Sequence, residues 1–215
     1  MRDAYHDELD AISGTLIEMT RLVGSAISRA TTALLDADLA LAESVITADE
    51  TVDLLYRDLE ERALNLLATQ QPVASDLRIV VTSLRMVSDL ERMGDYALNV
   101  AKVARRRAPA SAIPPELRST IIEMGNEAEK VVAKAGSLIA GRSLELAQEL
   151  EAEDDVMDEL HRRLFNVLLD DNWSHGVEAA IDVTLCGRYY ERFADHAVSV
   201  GRRVVYLVTG ERPVT

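Results

Sequence analysis

The sequence is poor in residues that break helices and in residues that build cysteine-dependent structures. Its 215 residues include 10 glycines, 5 prolines and one cysteine, Cys186. A single cysteine excludes a disulfide within the chain and any zinc or iron–sulfur site built from several cysteines. This usage fits a reducing cytoplasm, and among its apolar neighbours Cys186 is expected to be a buried, inert thiol.

Long apolar runs and an excess of positive charge are also missing. No run of 18 apolar residues occurs, and residues 1–10 carry five charges instead of a signal-like apolar core. We therefore expect neither secretion nor direct insertion into a membrane. The 37 acidic residues outnumber the 23 basic ones, for a formal net charge of −14, which would repel nucleic acids and anionic lipids. Cations and basic protein surfaces are the better partners.

The residues that are present are typical of long amphipathic helices. Hydrophobic residues make up 48% of the chain, enough for a sizeable core, and they recur every three or four positions. Ser75 and Asp76 are candidate caps at the start of the third helix. The pattern predicts six helices, whose apolar stripes cover residues 9–34, 41–66, 77–101, 117–138, 146–167 and 177–208.

The chain also contains an internal repeat. A shift of 105 places Asp49 on Asp154, and a shift of 100 places Glu91-Arg92 on Glu191-Arg192. Short connections make sequential helices antiparallel, so we predict an all-α protein of two tandem antiparallel three-helix bundles. The predicted boundaries are 1–108 for the first repeat, 109–115 for a proline-rich linker and 116–215 for the second repeat.

Each repeat carries two acid-x-x-x-acid pairs at matching positions. Residues four apart share a helix face, so each pair projects two carboxylates side by side. A single pair is ordinarily solvated surface, but four like-charged pairs at equivalent positions are costly unless a cation binds. We therefore predict one cation site per repeat. The predicted ligands are Asp49, Asp53, Glu91 and Asp95 in the first repeat, and Asp154, Asp158, Glu191 and Asp195 in the second.

The residue types limit the kind of cation and leave competing interpretations. Oxygen ligands select hard ions such as Mg²⁺, Mn²⁺, Ca²⁺ or oxidised iron. His196 follows Asp195 and is a candidate nitrogen ligand, although such a histidine is more often an ordinary surface residue. No Glu-x-x-His motif occurs, which argues against a ferritin-like di-iron oxidase. Arginines on the same helices are alternative partners for the acids: Arg57, Arg85, Arg92, Arg162 and Arg192.

Three segments resemble the signature segments of the PhoU family of bacterial phosphate-signalling regulators. They are residues 70–78 (QQPVASDLR), 90–97 (LERMGDYA) and 190–197 (YERFADHA). The likeness covers nearly the whole chain, including the repeat and the position of the linker. The loop at residues 170–176 departs from it, because it lacks the Gln-Pro segment of the first half.

The resemblance implies a non-enzymatic regulator with no catalytic residues. Family members repress the phosphate-starvation response when phosphate is plentiful, through the phosphate ABC transporter and a sensor histidine kinase. They usually self-associate, so we expect a homodimer that reaches the membrane only by binding the transporter ATPase and the kinase. The resemblance also implies multinuclear metal clusters on the eight acids, with iron, zinc, magnesium and manganese all open.

Three other interpretations remain open from the sequence. One is a PhoU-like accessory protein of another phosphate transporter, and a second is a metal-dependent helical-bundle enzyme. The third is a helical scaffold that binds no metal. Trp173, in the loop before the sixth helix, is either a packing anchor or an exposed contact.

Overall fold

The computed structural model describes residues 2–211, with side chains from residue 7 onward. These residues contain no β-strand, and a short 3-10 helix at Pro115–Leu117 precedes the fourth helix. The all-α fold class is confirmed. The six α-helices are α1 (Arg2–Asp36), α2 (Leu39–Gln70), α3 (Ala74–Arg107), α4 (Arg118–Gly141), α5 (Leu144–Leu168) and α6 (Gly176–Thr209).

The helix boundaries follow local chemistry, with one correction to the sequence interpretation. Asp38 caps α2 by accepting a hydrogen bond from the Leu41 amide at 2.9 Å, and Ser143 caps α5 in the same way. The proposed caps of α3, Ser75 and Asp76, are wrong. The helix begins at Ala74 behind an extended Val73 that provides no side-chain cap, because Pro72 keeps the preceding backbone out of the helix.

The six helices form two three-helix bundles. α1, α2 and α3 pack on one another, as do α4, α5 and α6. Neighbouring helices are antiparallel: Arg29 near the end of α1 bonds Ser44 near the start of α2, while Glu8 at the other end of α1 pairs with Arg62. The apolar stripes supply the buried core, which runs through both bundles without a break.

The two bundles meet where α1 of the first packs against α4 of the second, and an approximate two-fold axis relates the two bundles. A Cβ atom added at Gly125 would lie 2.6 Å from Thr31 Cγ2, and one added at Gly136 would lie 2.6 Å from Thr20 Oγ1. Gly125 and Gly136 are the positions that Thr20 and Thr31 reach by the shift of 105. The same contact, threonine against glycine, is therefore made twice with the partners exchanged.

The second contact between the bundles, α3 against α6, shows the same exchange. His196 Nδ1 lies 3.0 Å from Asp89 Oδ1, and the rings of Tyr96 and Tyr189 stack with centroids 6.3 Å apart. By the shift of 100, residue 96 corresponds to 196 and residue 89 to 189. Helices α3 and α6 therefore cross antiparallel about the same approximate axis.

Candidate metal centres

The four acids of the first repeat meet along the seam between α2 and α3. Asp49 and Asp53 lie one turn apart on α2, opposite Glu91 and Asp95 on α3. Gly94 allows this approach: a Cβ atom there would lie 3.2 Å from Asp49 Oδ1 and 3.3 Å from Val52 Cγ1. The small residue brings the α3 backbone against α2 and the two acidic pairs into one cluster, the first cluster.

Burial and mutual repulsion disfavour the charged forms in the first cluster. Burial, followed by the charges of Asp53 and Asp95, raises the pKa of Asp49 to about 6, with Lys102 opposing the rise. Burial and then Asp95 raise the pKa of Glu91, whose side chain is only 25% exposed, against the lowering effect of Arg92. Ionised carboxylates at this seam are therefore short of compensating positive charge.

The second repeat builds an equivalent seam between α5 and α6, here called the second cluster. Burial, and then Asp195 and Asp158, raise the pKa of Asp154 to about 6, while Arg202 opposes them. Burial raises the pKa of Glu191, which is 14% exposed. Glu91 and Glu191 lie within the apolar stripes of α3 and α6, and that position explains why both are mostly buried.

Arginines provide part of the missing charge from the solvent side. Arg92 Nη1 lies 3.3 Å from Asp95 Oδ2, and Arg192 Nη1 lies 3.1 Å from the equivalent Asp195 Oδ2. Arg57 pairs with Asp53 at 3.8 Å. These arginines are largely exposed, so each pair contributes about 0–1 kcal/mol. They leave the clusters accessible to a competing cation.

Two further arginines do not behave as the sequence suggested. Arg162 pairs with Glu159 instead of a cluster acid. Arg85 forms no ion pair with the side chains of residues 7–211. Arg188, which sequence analysis passed over, pairs with Glu191 from one turn earlier on α6. Its spacing of three residues from Glu191 was the available signal.

The carboxylate oxygens of the two clusters are the ligand type that a hard cation prefers, but they do not converge on a common point. Among the described residues, no three His, Cys, Asp or Glu side chains are gathered closely enough to hold a metal ion. Glu191 Oε2, however, is buried and lacks any hydrogen-bond partner. An orphaned carboxylate oxygen beside other acids is a group that a cation satisfies. The metal assignment therefore stays a prediction.

The other residues singled out from sequence have structural surroundings. His196 is directed at Asp89 across the α3–α6 contact, where Arg203 Nε also donates to Asp89 at 2.6 Å. Cys186 is fully buried, as expected. Trp173 packs partly against the core and donates its indole N–H to the Gly176 carbonyl at 2.9 Å. It anchors the start of α6.

One polar side chain at the second cluster was missed. His161 lies one turn after Asp158 on α5, and its Nε2 is buried without a hydrogen-bond partner. Burial and then the charge of Arg188 lower its pKa, against the effect of Asp158. The Asp158-x-x-His161 spacing was the signal, since residues three apart share a helix face.

The fold and the two seams define a class: an all-helical tandem-repeat protein with one acidic cluster per repeat. No helix within residues 2–211 has the length and apolar character needed to span a bilayer. The sequence model of the PhoU domain family matches this chain twice, at residues 16–104 and 121–204. The chain belongs to the PhoU family, which confirms the resemblance found in the sequence.

Known proteins match along the whole chain. The phosphate-specific transport system accessory protein PhoU homolog 2 of Mycobacterium tuberculosis is 51% identical over 213 residues, covering 99% of this chain and 100% of that protein. The crystal structure of PhoU from Pseudomonas aeruginosa matches with a TM-score of 0.88 at 29% identity, covering 96% of this chain and 100% of that one. The phosphate transport system regulatory protein PhoU of Streptococcus pneumoniae matches with a TM-score of 0.85 at 25% identity, covering 98% and 100%.

Proposed function

We propose that this protein is a non-enzymatic accessory protein of a phosphate transport system that represses the phosphate-starvation response when phosphate is ample. The observation that carries the proposal is its 51% identity, along 99% of the chain, to a protein named as a phosphate-specific transport system accessory protein. The partners we propose are the transporter ATPase and a sensor histidine kinase. A cytoplasmic location and a homodimeric state belong to the same proposal.

The acidic clusters give this proposal its chemistry. The eight acids named above would hold cations, four in each repeat, through carboxylate oxygens. A bound cation would neutralise the mutual repulsion of the carboxylates and link the two helices of each seam. The protein's own side chains determine how strongly the carboxylates repel one another before a cation binds. Lys102 and the arginines partly screen the acids, and burial of Glu91 and Glu191 keeps their oxygens at the seam.

Charge also determines how partners would be recognised. With a net charge of −14, the surface favours basic patches on the transporter ATPase and the kinase. Because the Debye length is about 8 Å at physiological ionic strength, association should slow as salt is added. Cation occupancy changes the field near each seam, which connects the clusters to partner binding.

The test is deletion of the gene in its host, followed by a phosphate-starvation reporter in phosphate-rich medium. The proposal expects an active reporter in the deletion strain, silenced again by the wild-type gene. Purified protein should capture the transporter ATPase and the sensor kinase in a pull-down. A silent reporter together with no capture of either partner would contradict the regulatory role, and a turnover assay for metal-dependent hydrolysis would then be the next measurement.

A matched pair of variants connects the clusters to regulation. Glu91→Ala/Asp95→Ala removes two acids of the first cluster, whereas Glu43→Ala/Glu50→Ala removes two exposed acids from α2 and changes the net charge equally. The proposal expects the first variant to lose repression and the second to keep it. Equal repression by both variants would separate regulation from the cluster.

A further inference from the structure

An apolar cleft of about 520 Å³ lies at the start of α6. Its lining includes Trp173, Val177, Ala180, Ile181 and Leu185. Val177 is 76% exposed and Ile181 is 52% exposed, and Leu169, in the connection that leads from α5, is 80% exposed. A group of large apolar side chains left open to solvent is typical of a surface that binds another molecule.

Trp173 forms a fixed wall of the cleft. Its indole N–H donates to the Gly176 carbonyl at 2.9 Å, and its ring meets the His175 ring edge-on with centroids 5.0 Å apart. The polar atom of the indole is thus satisfied within the chain, and the ring is held in place. A tryptophan that is already held loses little conformational entropy on binding, and tryptophan is enriched among the residues that dominate binding energy.

The apolar residues of the cleft follow one face of α6. Val177, Ile181 and Leu185 are spaced by four residues, so they line up along the helix. A row of this kind is complementary to the apolar row of a second helix. The shape of the cleft therefore suits an amphipathic helix with apolar residues every three or four positions.

The corresponding surface of the first repeat differs in charge. The shift of 100 matches residues 70–71, which are Gln-Gln, with residues 170–171, which are Asp-Asp, and it matches Arg78 with Glu178. Both repeats carry apolar residues at three matched positions, 73, 77 and 81 in the first and 173, 177 and 181 in the second. The second repeat therefore keeps the apolar row and replaces neutral and basic neighbours with acids.

The acids of the second repeat lie beside the cleft and are charged. Between residues 164 and 187 the sequence has four acids and no Lys or Arg. Asp170 and Asp171 are exposed, and the hydrogen bond from the Trp173 amide to the Asp170 carbonyl, at 3.0 Å, closes the turn that holds them next to the indole. The backbone and side-chain amides of Asn172 donate to the Asp170 carboxylate and lower its pKa, which favours its charged form.

We propose that this cleft is the docking site for a basic amphipathic helix of a partner protein. The apolar side chains of that helix fill the cleft, and its Lys or Arg residues face Asp170 and Asp171. A second copy of this chain docked cleft to cleft would set these acids against themselves, and anionic lipids would be repelled by them. The inference rests on the proposed function only where it assigns the transporter ATPase and the sensor kinase as sources of the helix.

Trp173 is the only tryptophan of the chain, so its fluorescence reports on the cleft. The full chain is titrated with a synthetic amphipathic peptide that has leucines every three or four positions, lysines elsewhere and no aromatic residue. We expect saturable binding that shifts the Trp173 emission to shorter wavelength and weakens as salt is added. A peptide with glutamates in place of the lysines should bind about tenfold more weakly or less tightly still.

Variants of the full chain locate the binding. Val177→Asn/Ile181→Asn places polar side chains in the cleft, leaves the tryptophan in place and should weaken peptide binding about tenfold or more. Asp170→Asn/Asp171→Asn should weaken binding and reduce its dependence on salt. Ile122→Asn, at an exposed isoleucine of α4, is the matched control and should change binding by less than about twofold. Circular dichroism of each variant verifies that it is folded.

Three results would overturn the docking site. One is peptide binding that is unchanged by Val177→Asn/Ile181→Asn or that leaves the Trp173 emission unchanged. Another is a wild-type dimer that the same substitutions convert to monomer in sedimentation equilibrium, which would assign the cleft to a second copy. The third is binding to phosphatidylcholine–phosphatidylglycerol vesicles that these substitutions abolish, which would assign it to lipid.

The purified transporter ATPase and sensor kinase test the link to the proposed function. Each should bind Val177→Asn/Ile181→Asn about tenfold more weakly than wild type. Equal binding to both would overturn the assignment of these partners to the cleft. Failure of both to bind wild type would contradict the proposed function, and the peptide titration would still decide the docking site.

Discussion

Replacing Asp49 or Asp154 by asparagine should stabilise the metal-free protein at neutral pH. Each carboxyl has a pKa raised to about 6, mainly because burial and neighbouring acids disfavour its charged form. Asparagine keeps the shape of the side chain and removes the charge. The change therefore relieves repulsion without opening a cavity.

The sign of the pH dependence follows from proton linkage. Between about pH 4 and pH 6 the folded state holds a proton on each aspartate that the unfolded state has released, so this contribution to stability decreases as pH rises through that range. A rise from 3.8 to about 6 corresponds to about 3 kcal/mol for an unscreened group. Both aspartates are partly exposed, and solvent screening reduces the expected gain to about 1–2 kcal/mol for each substitution.

The assay is urea denaturation of chelator-treated protein at pH 4.5 and pH 7.5. Asp49→Asn and Asp154→Asn should each raise the free energy of unfolding at pH 7.5 and change it much less at pH 4.5. Glu50→Gln, at an exposed acid next to Asp49, is the control and should have little effect at either pH. Equal effects of Asp49→Asn at both pH values, or destabilisation at pH 7.5, would refute the argument.

Two further predictions concern the contacts between the two bundles. Gly125→Ala should destabilise the protein by about 1–2 kcal/mol, because the added Cβ atom would lie 2.6 Å from Thr31 Cγ2. Gly14→Ala is the control: a Cβ atom added there has no neighbouring atom within 4 Å, and alanine favours the helix, so this change should stabilise the protein by about 0.5–1 kcal/mol. Equal changes in urea midpoint would show that α1 and α4 are not in close contact. The carboxylate of Asp182 is 3% exposed and pairs with two arginines of α3, so Asp182→Asn should lower the free energy of unfolding by about 2–4 kcal/mol. The control, Asp171→Asn at an exposed loop residue, should change it by almost nothing. A loss below about 0.5 kcal/mol would contradict the assigned α3–α6 ion pairs.

The helices and their order were predictable because each helix is long and carries its own apolar stripe. Period and breaks are local properties, so the turns at residues 37–38, 71–73 and 142–143 could be located from sequence. The first residue of α3 was misplaced because its start depends on the backbone before Pro72 and not on a side-chain cap.

The acidic pairs were also predictable, since the repeat makes them recur, but their surroundings were not. The role of His196 at the α3–α6 contact depends on Asp89, which lies 107 residues away in the chain. His161 attracts attention only once Gly187 is known to face it. Such pairings are set by how whole helices pack, and helical periodicity carries no information about which faces meet.

The metal content of two complementary variants tests the central claim, that each repeat holds its own cation site. Wild type, Glu91→Ala/Asp95→Ala and Glu191→Ala/Asp195→Ala are purified, loaded with Mn²⁺, freed of excess ion and measured by elemental analysis, with Glu43→Ala/Glu50→Ala as the control. We expect each cluster variant to lose the metal of its own repeat and keep that of the other, while the control keeps the wild-type content. Unchanged metal content in both cluster variants would contradict the account and leave the eight acids as surface charge.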